Sequence, residues 1–202
     1  MKNQNKLPVF EYFYSIQGEG AHTGKPAFFI RLAGCNVGCH WCDVKESWPI
    51  EDSQFLSVAE IIDKVKEAKT DLVIITGGEP LVHNLDKLTN ELKKIHKKVH
   101  LETSGTEPFS GSFDWICFSP KKFKKPLDIY YELSDELKVV VFNKSDFSWA
   151  DSHALLMKNQ SFLYLQPESS VEKKVNPLIF DFIKINPNWK ISLQIHKYLG
   201  VD

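Results

Sequence analysis

Seven short apolar runs recur along the chain: "AFFIRLA" (27–33), "LVIIT" (72–76), "VHLET" (99–103), "WICFS" (115–119), "LKVVVF" (137–142), "FLYLQ" (162–166) and "KISLQI" (190–195). Most are nearly continuous rather than alternating, the pattern of parallel strands covered on both faces. Helix-like segments lie between several of them. "SVAEIIDKVKEAK" (57–69) opens on a capping box, Ser57 with Glu60, and carries a stripe of Val58, Ile61, Ile62 and Val65. "NLDKLTNELKKIH" (84–96) has a stripe of Leu85, Leu88, Leu92 and Ile95, and "NPLIFDFIK" (176–184) opens on an Asn-Pro pair that reads as a helix start. Strand–helix alternation gives right-handed crossovers and an α/β fold. The runs at 99 and 115 lie too close together for a full helix. The expectation is therefore an incomplete, partial TIM-like barrel of mostly parallel strands, short of the roughly 250 residues of a closed eight-fold barrel. With no repeat, low-complexity tract or linker, residues 1–202 read as a single domain.

A chain of 202 residues buries about 70% of its unfolded surface and needs no disulfide staple. A net charge of −1 gives no sign of direct nucleic-acid binding, and the lysine runs "KKFKK" (121–125) and "KKIHKK" (93–98) read as solvated faces. The N-terminal "MKNQNKLPVFEYF" has no apolar signal region. No run approaches the ~18 apolar residues of a membrane span. A cytoplasmic location with reduced thiols is expected, where clustered cysteines act as metal ligands or redox groups.

Parallel sheets bind ligands at the carboxyl ends of their strands. Five runs end there in polar or glycine-rich groups: "TGGEP" (76–80), "ETSG" (102–105), "SPK" (119–121), "QPE" (166–168) and "QIHK" (194–197). The loop after the first run places Cys35, Cys39 and Cys42 at C-x3-C-x2-C spacing, with Gly34 and Gly38 to let it wrap closely round an object. Soft thiolates select zinc or an iron–sulfur cluster. Zinc wants four ligands, and the remaining donors are His40, wedged between two cysteines, and Cys117, whose neighbours mark a core thiol. A cubane held by three thiolates leaves one iron open to a ligand. Arg31 is the only arginine among 25 basic residues; in a chain that otherwise uses lysine, its planar fork is the property lysine lacks.

This cysteine loop, following a first strand and carrying Trp41 before its last cysteine, resembles the radical S-adenosylmethionine (SAM) superfamily, and "TGGEP" matches that superfamily's GGE motif. In it, the SAM amino and carboxylate groups fill the open iron, and one electron cleaves SAM to a 5′-deoxyadenosyl radical. Further, "YSIQGEGAHTGKPAFFIRLAGCNVGCHWCD" (14–43), "ITGGEP", "LETSGT", "FSPK", "LQP" and "SLQIHKYLG" resemble the 7-carboxy-7-deazaguanine synthases of queuosine biosynthesis, a tRNA-modification pathway, over nearly the whole chain. The resemblance implies ring contraction of 6-carboxy-5,6,7,8-tetrahydropterin to 7-carboxy-7-deazaguanine with loss of ammonia, a lyase-type reaction begun at C6, with SAM regenerated.

It implies a [4Fe–4S] cluster on Cys35, Cys39 and Cys42, and SAM contacts from Trp41, Asp43, Gly78, Glu79, Ser104, Ser119, Lys121 and Gln166. Glu79 would accept from the SAM ammonium. Substrate contacts fall on Ile16, Gln17, Gly18, Glu19, Arg31, Thr76 and His196, with Gly18 and Gly20 leaving room for a flat ring. No protein residue is assigned to catalysis beyond cluster and SAM. A flavodoxin-type or other one-electron donor and a homodimer follow from the same resemblance. The family usually carries a Mg²⁺-ligating Thr or Ser two residues after the third cysteine; Val44 stands here. The expectation is an enzyme with no protein-bound Mg²⁺, or with one held only through substrate and water. Two other classes fit parts of the pattern. A glycyl-radical activase shares GGEP but has no use for "IQGEG" or "QIHK". A non-enzymatic iron–sulfur or zinc module has no use for the motifs at separate strand ends.

Overall fold

The computed structural model describes residues 5–158 and 161–201; residues 1–4 of the N-terminal segment lie outside it. Strand β1 (Lys6–Ile16) pairs antiparallel with β2 (Pro26–Leu32) and, on its other edge, with β3 (Phe55–Ser57). From β2 onward the strands add in parallel and in chain order: β4 (Leu72–Gly77), β5 (Lys98–Thr103), β6 (Trp115–Phe118), β7 (Glu136–Val141), β8 (Phe162–Pro167) and β9 (Trp189–Ile191). The order β3-β1-β2-β4-β5-β6-β7-β8-β9 has β3 and β9 as its two edges, so the sheet is an open partial barrel, as expected.

The strands' two faces differ. Val73, Ile75, Val99, Leu101, Leu137, Val139 and Leu165 are buried against apolar helix residues. Those helices are α1 (Val58–Glu67), α2 (Asp86–Lys94), α3 (Ile129–Leu133), α4 (Ser145–Ala154) and α5 (Glu172–Ile185), with a short α6 (Ile195–Leu199) at the end. The Ser57–Glu60 capping box starts α1: Ser57 Oγ accepts from the Glu60 N–H at 3.2 Å, and Glu60 Oε2 accepts from the Ser57 N–H at 2.7 Å. Leu88 and Leu92 of α2 are fully buried, each worth about 1.5–3 kcal/mol of transfer free energy. The opposite face carries a small apolar patch of Ala27, Phe29, Leu72 and Ile74. Above it, the same face turns polar with Arg31, Thr76, Glu102, Lys138 and Gln166. Register levels these side chains, since Arg31 stands opposite Thr76 and Val140 opposite Gln166.

Several elements differ from the sequence expectation. β1 is a full strand with many half-exposed positions, so it lacks the continuous apolar character that marks the parallel strands. "NP" does not start α5: the helix begins at Glu172 and Pro177 lies inside it, where it gives up one backbone hydrogen bond. The run "KISLQI" leaves the sheet after Ile191. Helices α3 and α6 have five residues each, too few to show a period, and α4 buries only Asp146, Ala150 and His153.

Candidate active site

A cavity of about 470 Å³ opens at the carboxyl ends of the parallel strands. The cysteine loop forms one wall. It is fastened by backbone bonds from Ala33 N–H to Pro8 O (2.9 Å), Gly34 N–H to Ser47 O (2.8 Å) and Glu79 N–H to Gly34 O (2.9 Å). Gly34 and Gly38 have φ of 105° and 76°, which L-side chains rarely adopt. Cys35, Cys39 and Cys42 all line the cavity, and all are free thiols. Burial pushes the Cys35 thiol up and that of Cys39 to about 11. Cys35 and Cys39 thus give up their protons on binding metal.

The two alternative fourth ligands both fall away from this wall. Cys117 is buried in β6 and donates to Glu136 Oε1 at 3.5 Å. His40 is exposed, with its ring 5.1 Å from that of Phe123. Among the described residues no three His, Cys, Asp or Glu side chains converge as donors to a single ion. Three cavity-facing thiols, with neither Cys117 nor His40 beside them, fit a cubane with one open corner.

The residues expected at SAM mostly meet on this side. Trp41, Asp43, Gly78, Ser104, Ser119, Lys121 and Gln166 line the cavity. Lys121 Nζ donates to Ser119 O at 2.6 Å and Ser119 Oγ at 2.5 Å, and lies 5.9 Å from the Trp41 ring centre. Burial lowers its pKa. Asp43 accepts from Lys197 of α6 at 3.0 Å in an exposed pair, a contact of small energetic weight.

Glu79 departs from its expected role. It is 1% exposed and does not line the cavity. Its carboxylate accepts from Leu81 N–H (3.1 Å), Thr103 Oγ1 (2.7 Å), Ser104 N–H (2.8 Å) and Ser104 Oγ. Those donors tie the end of β4 to the end of β5 and leave nothing for a ligand ammonium. Gly78 is required by the protein itself: a Cβ there would lie 2.6 Å from Cys35 Cβ and 2.5 Å from Gly34 O.

Ile16, Gln17, Gly18, Glu19, Arg31, Thr76 and His196 all line the rest of the cavity. Arg31 Nε donates to Glu11 at 2.6 Å. The two glycines do not leave room for a ring as expected. A Cβ on Gly18 would meet His196 Nδ1 at 2.0 Å, and one on Gly20 would meet Glu136 Oε1 at 2.0 Å. Their hydrogens instead admit α6 and β7, and the Ile195 N–H donates to Gly18 O at 3.0 Å. Burial holds His196 below its usual pKa.

Lys138 completes a floor that the strand-end motifs show only in part: Glu102 opens "ETSG", Gln194 opens "QIHK", and all three line the cavity. Lys138 Nζ donates to Glu19 Oε2 at 2.6 Å and Glu102 Oε2 at 2.9 Å. Gln194 Nε2 donates to Glu19 Oε1 at 2.7 Å, and Gln17 Nε2 to Glu102 Oε1 at 3.2 Å. Burial works against charge on Glu19, but Lys138, Gln194 and His196 overcome it and bring the carboxyl to about 2. Burial works against charge on Lys138 too, yet the acidic groups around it, Cys117, Glu102, Glu19 and Glu136, hold it well above its usual value. The signal in the sequence was a lysine inside the apolar run "LKVVVF".

Residues 29–122 match the radical SAM superfamily. The chain is 47% identical over 196 residues to a 7-carboxy-7-deazaguanine synthase of Flavobacterium psychrophilum, covering 96% of this chain and 92% of the relative. It is 47% identical to the enzyme of that name from a Synechocystis species, covering 96% and 93%. The crystal structure of QueE from Escherichia coli superposes with a TM-score of 0.83 at 30% identity, covering 93% of each chain.

Proposed function

The chain belongs to the 7-carboxy-7-deazaguanine synthase family of radical SAM enzymes, and from that premise we propose that its cavity contracts 6-carboxy-5,6,7,8-tetrahydropterin to 7-carboxy-7-deazaguanine with release of ammonia. The observation that carries the reading is one cavity with two unlike ends. Three free thiols form one wall, and a buried carboxylate–ammonium floor with the sole arginine forms the other. Cys35, Cys39 and Cys42 would hold the [4Fe–4S] cluster, whose open iron with SAM supplies the one-electron cleavage that starts the reaction. Trp41, Asp43, Gly78, Ser104, Ser119, Lys121 and Gln166 would hold SAM.

The remaining residues orient the pterin. Arg31 presents a fork to the substrate carboxylate, fixed at Nε by Glu11. Gln17 and Glu19 face the donor-rich pyrimidine edge, while Ile16, Gly18, Thr76 and His196 enclose the ring. Proximity and exclusion of water are what such a frame contributes, since the cofactors carry the hard chemistry.

Val44 lines the cavity with a side chain that has no oxygen to offer a cation. We therefore expect turnover with no protein-bound Mg²⁺, or with one held only through substrate and water. A flavodoxin-type or other one-electron donor, a homodimer, one domain over residues 1–202 and a cytoplasmic setting complete the reading. The four free cysteines support the last of these; among the described residues no helix is long and apolar enough to cross a membrane.

The test is anaerobic reconstitution with iron and sulfide, then incubation with SAM, a reductant and the carboxypterin. Formation of the deazaguanine acid with SAM recovered supports the reading. Glycyl-radical formation on a protein partner, without pterin turnover, would transfer the chain to the activase class.

A further inference from the structure

Lys138 is 4% exposed, on a strand whose neighbours Leu137, Val139 and Val141 are fully buried and apolar. A lysine at this place costs desolvation, and a buried ion pair rarely stabilises a fold more than well-packed apolar groups would. Its surroundings suggest another reason for it. Three separate segments converge on it on β7: Gln17 and Glu19 from the end of β1, Glu102 from β5, and Gln194 from the turn before α6. These four and Lys138 line the same cavity.

The bonds form an open chain, Gln194 to Glu19 to Lys138 to Glu102 to Gln17. Each of the four carboxylate oxygens takes one nitrogen donor, so lone pairs remain on each. Two carboxylates and one ammonium leave an excess of one negative charge at the floor. Glu136 beneath, its carboxyl raised by burial, is turned to the Ala21 N–H, from which it accepts at 3.1 Å. Acceptor-rich, anionic and half-enclosed, the floor suits a ligand edge with adjacent N–H donors, as in a 2-amino-4-oxopyrimidine, which meets a carboxylate side-on.

We propose that Lys138 is a positioning residue for the amino-pyrimidine edge of the substrate: it bridges Glu19 and Glu102, keeps the pair from repelling each other, and directs their free lone pairs at the ligand's N–H groups. This rests on the pterin reading above and adds a residue and a specificity to it. Without the ammonium, the two carboxylates either share a proton or turn apart. Both outcomes remove the acceptor array while leaving the thiol wall and the Arg31 fork in place.

The test compares wild type with Lys138→Met, both loaded with cluster anaerobically. KM and kcat are measured for the carboxytetrahydropterin. Inhibition constants are measured for two stable probes: 6-carboxypterin, and the lumazine analogue with oxygen in place of the 2-amino group. The expected result is a KM raised by about 10-fold or more with kcat changed far less. The wild-type preference for the amino probe over the oxo probe should shrink by about the same factor. Iron content and the SAM-induced change in the cluster's electron paramagnetic resonance should persist. A second variant, Lys138→Met with Glu102→Gln, removes one charge of each sign and covers the case in which the single variant does not fold. It should lose the same discrimination. Unchanged discrimination in either variant overturns the proposal, as does an equal loss for both probes, which a merely structural lysine would give. Wild-type enzyme that binds SAM at its cluster yet leaves the carboxypterin unconverted overturns the function reading and this inference together.

Discussion

Glu79 separates two accounts of the GGEP turn. If its carboxylate ties β4 to β5, replacing it harms the fold; if it holds the SAM ammonium, replacing it harms SAM binding and little else. Glu79→Gln is the sharper perturbation, because it keeps shape and removes charge. One oxygen accepts from the Leu81 N–H and the other from the Ser104 N–H. Hydroxyls can rotate, but these two backbone donors cannot. Whichever side the glutamine NH₂ takes, it therefore meets a fixed N–H with another N–H. The side chain is 1% exposed, so no water repairs the mismatch. Leaving a buried donor without its acceptor costs about 1–3 kcal/mol. For a chain of this size that lowers the thermal midpoint by roughly 2–12 °C. The assay is thermal unfolding of the anaerobic holoenzyme, followed by circular dichroism at one fixed scan rate, beside SAM titration at low temperature. A variant that melts with the wild type but no longer binds SAM would refute the tether.

Other consequences follow from the same geometry. Arg31→Lys keeps the charge and discards the fork, so kcat/KM for the carboxypterin should fall by about 10–100-fold, read by steady-state kinetics; an unchanged value would remove Arg31 from carboxylate recognition. Gly18→Ala places a methyl 2.0 Å from His196 Nδ1; α6 should be displaced, raising the substrate KM and the rate of proteolysis at the C-terminus. Turnover should survive EDTA, whereas Val44→Thr should make it respond to added Mg²⁺; a strict Mg²⁺ requirement in the wild type contradicts the assignment of Val44. Burial, with His22 beside it, holds His100 down to about 3, while an unfolded histidine titrates near 6.5. The unfolded chain therefore binds more protons below pH 6.5. Stability should be full above that pH and fall as pH drops toward 3, by up to ~1.4 kcal/mol per pH unit from this residue. Urea midpoints between pH 7 and 5 check it, and His100→Leu should flatten the slope.

What could be read from the chain in advance follows how local each signal is. The parallel strands were legible because both their faces are covered, which makes "LVIIT" and "LKVVVF" continuous. β1 was not, because its exposed positions break the pattern. The thiol wall and the strand-end motifs were legible because each lies within a few residues. The floor was not: Lys138 meets Glu102 across 36 residues and Glu19 across 119, a pairing that only the sheet's register creates. Glycines misled for a related reason. Gly18 and Gly20 read as space for a ligand, whereas their missing side chains make room for His196 and for Glu136. Glu79 was recognised as a functional position, but its partners, Thr103 and Ser104, come from the neighbouring strand's end.

The thiol wall is most directly tested by electron paramagnetic resonance of the reduced, anaerobically reconstituted protein, with iron and zinc quantified, before and after SAM is added. The account predicts about four irons per chain, little zinc, and a spectrum that changes when SAM takes the open iron. Stoichiometric zinc, or a cluster signal indifferent to SAM, would contradict it.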